Sequence, residues 1–177
     1  FYAGLLTDHH IFPAALSCTL AGWGIVLYAL LRVLLVTAAY DKRHAKVILA
    51  ALVMGWCGVA AFFIWLLTDI PAWLHFSRQA GIWLFLVPVF ASVAHRMIPF
   101  FTSGALPHLH VTSPYWPWWV MLACSVAHGL MQLADLSSWL WLFDAPLAVA
   151  SLYLTHAWGS RHTLRFPMLG VLHVGFA

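Results

Sequence analysis

The chain has 177 residues, of which 64% are hydrophobic and 7% charged. A soluble domain carries about a quarter of its residues as charges, so this composition excludes a soluble globular domain and implies an integral membrane protein. The net charge of +3 is too small and too scattered to be a footprint for nucleic acid. Cys18, Cys57 and Cys124 lie singly in apolar runs, which excludes a disulfide framework. Eleven histidines are the anomaly. Imidazole in a membrane interior binds metal, moves protons or bonds one helix to another.

Taken in order, residues 1–12 are mixed and contain Asp8, His9 and His10. A first helix is predicted over 13–39. Pro13 suits a first helical position, and the run exceeds the ~20 residues that cross a bilayer core. Arg32, near its far end, can snorkel to the headgroups. The basic loop 40–46 follows, then a second helix over 47–68 closed by Asp69, Ile70 and Pro71. A third helix is predicted over 72–98, opening at Ala72 or as late as Gln79. Pro88 inside it removes one backbone hydrogen bond, frees the carbonyl of Leu84 and should kink the helix. Pro99 is expected to end it.

The segment 99–117 holds four prolines and many aromatic residues, and is expected to be largely non-helical at the membrane interface. Helices are then predicted over 118–134 and 139–158, joined by a turn in which Ser137 or Ser138 caps the second. A second basic loop, 159–165, leads to a final helix over 167–177 that opens on Pro167. The fold class is therefore all-α: a polytopic transmembrane helix bundle of five full crossings plus the start of a sixth, forming one transmembrane domain over 1–177. The chain begins at Phe1 and ends within an apolar run, so it reads as a fragment of a larger bundle whose other helices are partners.

Charge sets the expected orientation. The connections after the first, third and fifth helices hold Lys42, Arg43, Lys46, Arg96, Arg161 and Arg165, and those between hold only Arg78. Basic loops stay on the cytoplasmic side, so 40–46 and 159–165 are expected there. Trp73, Tyr115, Trp116, Trp118, Trp119, Trp139, Trp141 and Trp158 are expected in interfacial aromatic belts.

Several residues carry possible chemistry. Met121, Cys124 and His128 are spaced three and four apart and share a helix face. Met54 and Cys57 share a face on the second helix at a similar depth. If those helices touch, thioethers, thiols and an imidazole meet, a ligand set that suits copper. The plainer reading is that Met and Cys fill an apolar core. His95, His156 and His173 are all expected in the cytoplasmic leaflet, where each could instead make one interhelical hydrogen bond. Asp144 lies about 9 Å into its helix by the helical rise. It must be protonated or paired, either in a proton path or at the backbone disturbed by Pro146. The pairs Asp8 to His10 and His108 to His110 are weak metal signals. No pattern assigns a catalytic residue.

The run Arg96-Met97-Ile98-Pro99-Phe100-Phe101-Thr102 resembles the signature of the NnrS family of polytopic bacterial membrane proteins, and the match extends loosely to Ala105 and Leu106. The stretch from Pro167 to His173 resembles a second family element, a helix start ending in Leu-His. The residue before the signature arginine is small in the family and is His95 here. The resemblance implies haem and copper, and a role in nitric oxide stress with nitric oxide as a possible ligand. His173 is the better-supported candidate for haem iron; His156 and His95 are candidates from their shared leaflet, since His95 stands where the family has a small residue and inherits no family role, and Arg96 is placed to pair with haem propionates. For copper the candidates remain His128, Cys124, Met121, Cys57 and Met54, chosen by their spacing and not by the family pattern. Two other classes are compatible with the chain: a haem-copper membrane oxidoreductase, and a cofactor-free transporter or structural bundle.

Overall fold

The computed structural model describes residues 11–38, 41–106, 108, 111–163 and 166–176. The histidines at 9, 10 and 110 lie outside that set, as does Arg165. The described residues form helices and no strand. They fall into two compact units, residues 1–86 and 87–177.

In the first unit, α1 spans Ile11–Val36 and α2 spans Arg43–Thr68. The α1 helix is apolar all round. Ser17 and Thr19 donate their hydroxyls to carbonyls one turn back, at 2.8 and 3.0 Å, which hides two polar groups that lipid could not solvate. It meets α2 through a bond from Trp56 Nε1 to the carbonyl of Leu20 (2.9 Å) and an edge contact between Phe12 and Phe62. The α2 helix starts four residues earlier than expected. Asp41 Oδ1 accepts the backbone N–H of Arg43 at 2.9 Å, so a group that the first helical turn would leave bare is satisfied. Lys42 Nζ caps the carbonyl of Leu34 at the end of α1, where a cation is favoured. The loop 40–46 thus shrinks, with Arg43 and Lys46 on the helix.

Asp69 ends α2 in the left-handed region (φ 53°), and Pro71 opens α3, Pro71–Gln79. A π-helical segment, Ala80–Leu86, follows directly. The disturbance expected near Pro88 takes this form, a wider turn just before the proline. The small buried residues Ala51, Gly55, Gly58 and Ala61 of α2 form a stripe that lets helices approach closely. A cavity of about 340 Å³ lies there, lined by Trp23, Gly58, Ser77, Gly81 and Phe85 among others.

In the second unit, α4 spans Val87–Ala105, α5 Tyr115–Leu133, α6 Trp141–Ala157, α7 Ser160–Thr163 and α8 Pro167–Phe176. Four expectations are corrected. Pro99 does not end the helix, which runs two turns further to Ala105. Neither Ser137 nor Ser138 caps α6; Ser137–Trp139 form a 3₁₀ turn instead. The loop 159–165 contains the one-turn helix α7. Trp118 and Trp158, expected in aromatic belts, are fully buried among protein side chains and present no face to lipid. Pro167 opens α8 as predicted.

The α5–α6 hairpin is the most extensive packing in this unit, and α8 packs on α4 and α6. Among the described residues, three helical runs are long and apolar enough to cross a membrane: Phe12–Val36, Arg43–Thr68 and Pro71–Ala105. The helices α6 and α8, at 17 and 10 residues, are shorter than the ~20 that a crossing needs.

Candidate functional site

The buried face of α4 carries Ser92, His95, Ile98 and Thr102, the three- and four-residue spacing of one helix face. His95 is 4% exposed. Its Nε2 lies 3.0 Å from the carbonyl of Pro114. A carbonyl only accepts, so Nε2 carries the proton. Ser113 Oγ lies 3.3 Å from the same nitrogen and 3.4 Å from the carbonyl oxygen of His95. Since Nε2 is the donor, the serine hydrogen goes to that carbonyl. This is the carbonyl that Pro99, four residues on, leaves without its helical partner. The ring of His95 packs among Tyr115, Trp118 and Trp158, with centroids 5.4, 5.7 and 6.1 Å away. With Nε2 committed to Pro114, His95 is a structural clasp rather than an iron ligand through that nitrogen.

His173 is the opposite case. It is 1% exposed, on the buried face of α8 with Leu169 and Phe176. Its Nδ1 lies 2.9 Å from the carbonyl of Leu169, so Nδ1 holds the proton. Thr163 donates its hydroxyl to the carbonyl of Ser160 at 2.9 Å, and its oxygen is then a second, weaker acceptor for that proton at 3.4 Å. The remaining nitrogen, Nε2, is buried, carries a lone pair and meets no hydrogen-bond partner among the described residues. An imidazole with Nδ1–H on a backbone carbonyl and a bare Nε2 has the tautomer and orientation of a metal-ligating histidine. The residues at this position therefore fit an iron ligand.

The copper set does not fit in the same way. His128 is buried on α5, one turn from the buried Cys124 and two from the buried Met121, so the shared face is as expected. Both ring nitrogens are engaged, however. Nδ1 lies 2.5 Å from Asp144 Oδ1, and Gln132 Nε2 lies 3.0 Å from His128 Nε2. An amide nitrogen only donates, so Nε2 accepts from Gln132 and Nδ1–H donates to the carboxylate. As placed, His128 offers no nitrogen to a metal, and no step is derived through copper. Asp144 is paired, as its depth required, but with an imidazole across the hairpin rather than with the backbone near Pro146; its side chain is 48% exposed. Met54 and Cys57 are half-buried on α2 in the first unit. Among the described residues, no group of three or more His, Cys, Asp and Glu side chains is placed to hold a metal ion.

Arg96 is exposed on α4, opposite the buried face. His156 is exposed in the last turn of α6, beside the buried Leu154 and Thr155. Sequence reasoning missed Ser113, Gln132, Thr163 and the interior position of Trp158. Ser113 had a readable signal, a hydroxyl beside Pro114 within a loop following a mid-helix proline. Gln132 had one too, standing four residues after His128 on the same helix; Thr163 and Trp158 depend on which helices meet.

All-helical units with three helices long and apolar enough to cross a membrane define a helical membrane protein. The family model described as NnrS protein matches residues 2–177, and the chain belongs to the NnrS family. No curated protein and no solved structure matches the chain.

Proposed function

We propose that this chain forms part of a haem-binding membrane protein acting in the response or resistance to nitric oxide, in which His173 would hold the iron. One observation carries this reading: the buried, partnerless Nε2 of His173, whose tautomer is set by the carbonyl of Leu169. When bound, haem supplies an iron centre that takes diatomic gases. The residues around it do the rest. Leu169 and Thr163 hold the ring, and burial keeps water from the open nitrogen. Arg96, exposed on α4, is available to a carboxylate. Copper is assigned no residue here.

The same reading places the protein in the bacterial inner membrane, with residues 40–46 and 159–165 on the cytoplasmic side and the shorter helices α5 and α6 completing crossings within the full-length protein.

The test is an oxidised-minus-reduced optical spectrum of the full-length protein in detergent, with iron analysis on the same sample. Wild type is expected to show a Soret band with stoichiometric iron, shifted by nitric oxide. His173→Ala is expected to lose at least half of the haem. Haem content equal to wild type in that variant removes His173 from the site, and a colourless wild type prepared with ample haem overturns the reading.

A further inference from the structure

A cavity of about 340 Å³ lies in the first unit, lined by Trp23 of α1, Gly58 of α2, Ser77 of α3, and Gly81, Phe85 and Leu86 of the π-helical segment among others. Gly58 stands 15 residues on from Arg43 in the 26-residue α2, about 22 Å along its axis by the helical rise. In a helix long and apolar enough to cross a membrane, that is the depth of the hydrocarbon core. Leu86, on the lining, is 58% exposed, so the way in is from lipid.

Size, shape and polarity define what fits. An apolar cavity of about 150 Å³ holds benzene. One of about twice that volume takes a substituted ring or a fused pair of rings. Gly58 and Gly81 put no side chain into the space, and nothing lies within 4 Å of a Cβ added at Gly81. The rings of Trp23 and Phe85, 5.5 Å apart and tilted by 60°, form an aromatic corner against which a flat ring packs well. The segment that carries Gly81 and Phe85 is seven residues of π-helix, a rare form that recurs at functional sites.

No lining residue is charged, which excludes an ionic ligand at this depth. Ser77 brings a hydroxyl. In α1, Ser17 and Thr19 tie their hydroxyls to carbonyls one turn back. The Ser77 hydroxyl makes no hydrogen bond among the described residues, so its O–H is open to an acceptor.

A neutral, lipid-soluble ring with a carbonyl oxygen meets all of these conditions. We propose that this cavity binds the ring of a membrane quinone, packed against Trp23 and Phe85, with Ser77 Oγ–H donating to a ring carbonyl. The tail leaves past Leu86 into lipid. A lipid acyl chain also suits the apolar walls, but it leaves the serine hydroxyl bare and the aromatic corner without a ring to meet.

The experiment titrates the full-length protein in detergent with decylubiquinone, read by quenching of tryptophan fluorescence. Decylbenzene, a ring with the same tail and no carbonyl, is measured by competition. Wild type is expected to bind decylubiquinone saturably, and decylbenzene about tenfold more weakly, the worth of one hydrogen bond. Ser77→Ala should lower decylubiquinone to the affinity of decylbenzene and leave decylbenzene unchanged. Gly81→Leu grows into the open space and should abolish binding of both probes. Equal affinities of the two probes for wild type, or of decylubiquinone for wild type and Ser77→Ala, overturn the proposal and leave an apolar pocket for acyl chains. Unchanged decylubiquinone binding to a folded Gly81→Leu protein also overturns it, since the ring then binds elsewhere. Ser77→Ala removes one oxygen and adds no bulk, so it decides the matter if Gly81→Leu does not fold. A wild type without saturable binding overturns the proposal outright. The reading of His173 is untouched by any of these outcomes.

Discussion

Ser113 Oγ lies 3.4 Å from the carbonyl oxygen of His95, the acceptor that Pro99 strips of its helical donor. A side chain from the loop after α4 thus replaces a missing backbone N–H, and the helix passes through the family signature to Ala105. Inside a membrane an unsatisfied carbonyl is costly, so a proline in mid-helix needs such a substitute. Ser113→Ala is expected to destabilise the full-length protein by about 1 kcal/mol, the worth of one hydrogen bond. Pro99→Ala restores the backbone donor, so in that background the same serine change should cost much less. Unfolding in detergent across the four proteins measures the coupling. Additive effects would mean that Ser113 and the proline gap act independently.

The second prediction concerns the α5–α6 hairpin. Asp144 accepts from His128 Nδ1 at 2.5 Å, and Gln132 donates to the other ring nitrogen. The imidazole is 5% exposed and the carboxylate 48%, so solvent or headgroup access weakens the carboxylate's share of the bond. Asp144→Ala leaves a buried N–H bare and should cost about 1–2 kcal/mol. Asp144→Asn keeps an acceptor and should cost less. His128→Ala combined with Asp144→Ala should cost less than the sum of the two single changes, because the partner left behind no longer needs satisfying. If His128 is a metal ligand instead, Asp144→Ala lowers bound metal in the purified protein, which metal analysis reads directly.

Much of the architecture was legible in the sequence because lipid imposes a strong rule: every segment is helical and apolar, and turns collect the few charges. The starts of α2 and α5 and the end of α4 were not legible, for a common reason. Asp41 capping Arg43 N, Pro117 in the first turn of α5 and Ser113 rescuing Pro99 are each satisfied by a neighbour in space or by a position where the missing N–H costs nothing. Residue type alone argues for a break at each of them. The site divides along the same line. That His173 is a candidate was readable from its place in a family-like helix start. That its Nε2 is bare, while His128 and His95 are engaged, depends on Leu169, Asp144, Gln132 and Pro114, and only Leu169 and Gln132 can be inferred from helical spacing. Asp144 has a partner in His128 across the hairpin while staying 48% exposed, and that partner's identity required the packing of α5 on α6.

The third prediction tests the close approach in the first unit. Gly55 lies under the ring of Phe85 so tightly that a Cβ added there would sit 2.7 Å from the ring's Cγ atom. Real carbon contacts do not reach that distance, so Gly55→Ala must push the π-helical segment or the aromatic ring aside. Trp23 lies 5.5 Å from the same ring, so displacing Phe85 also disturbs the contact that carries α1. Overpacking of this kind costs about 1–3 kcal/mol. Gly81 faces open space, with nothing within 4 Å of an added Cβ, and Gly81→Ala should be tolerated within about 0.5 kcal/mol. Phe85→Leu removes the obstructing ring, so it should recover most of the Gly55→Ala loss while costing stability on its own. Thermal unfolding of the full-length protein in detergent checks the series. Equal stability of Gly55→Ala and wild type would show that the α2 stripe does not need a glycine there, and that the ring moves aside freely.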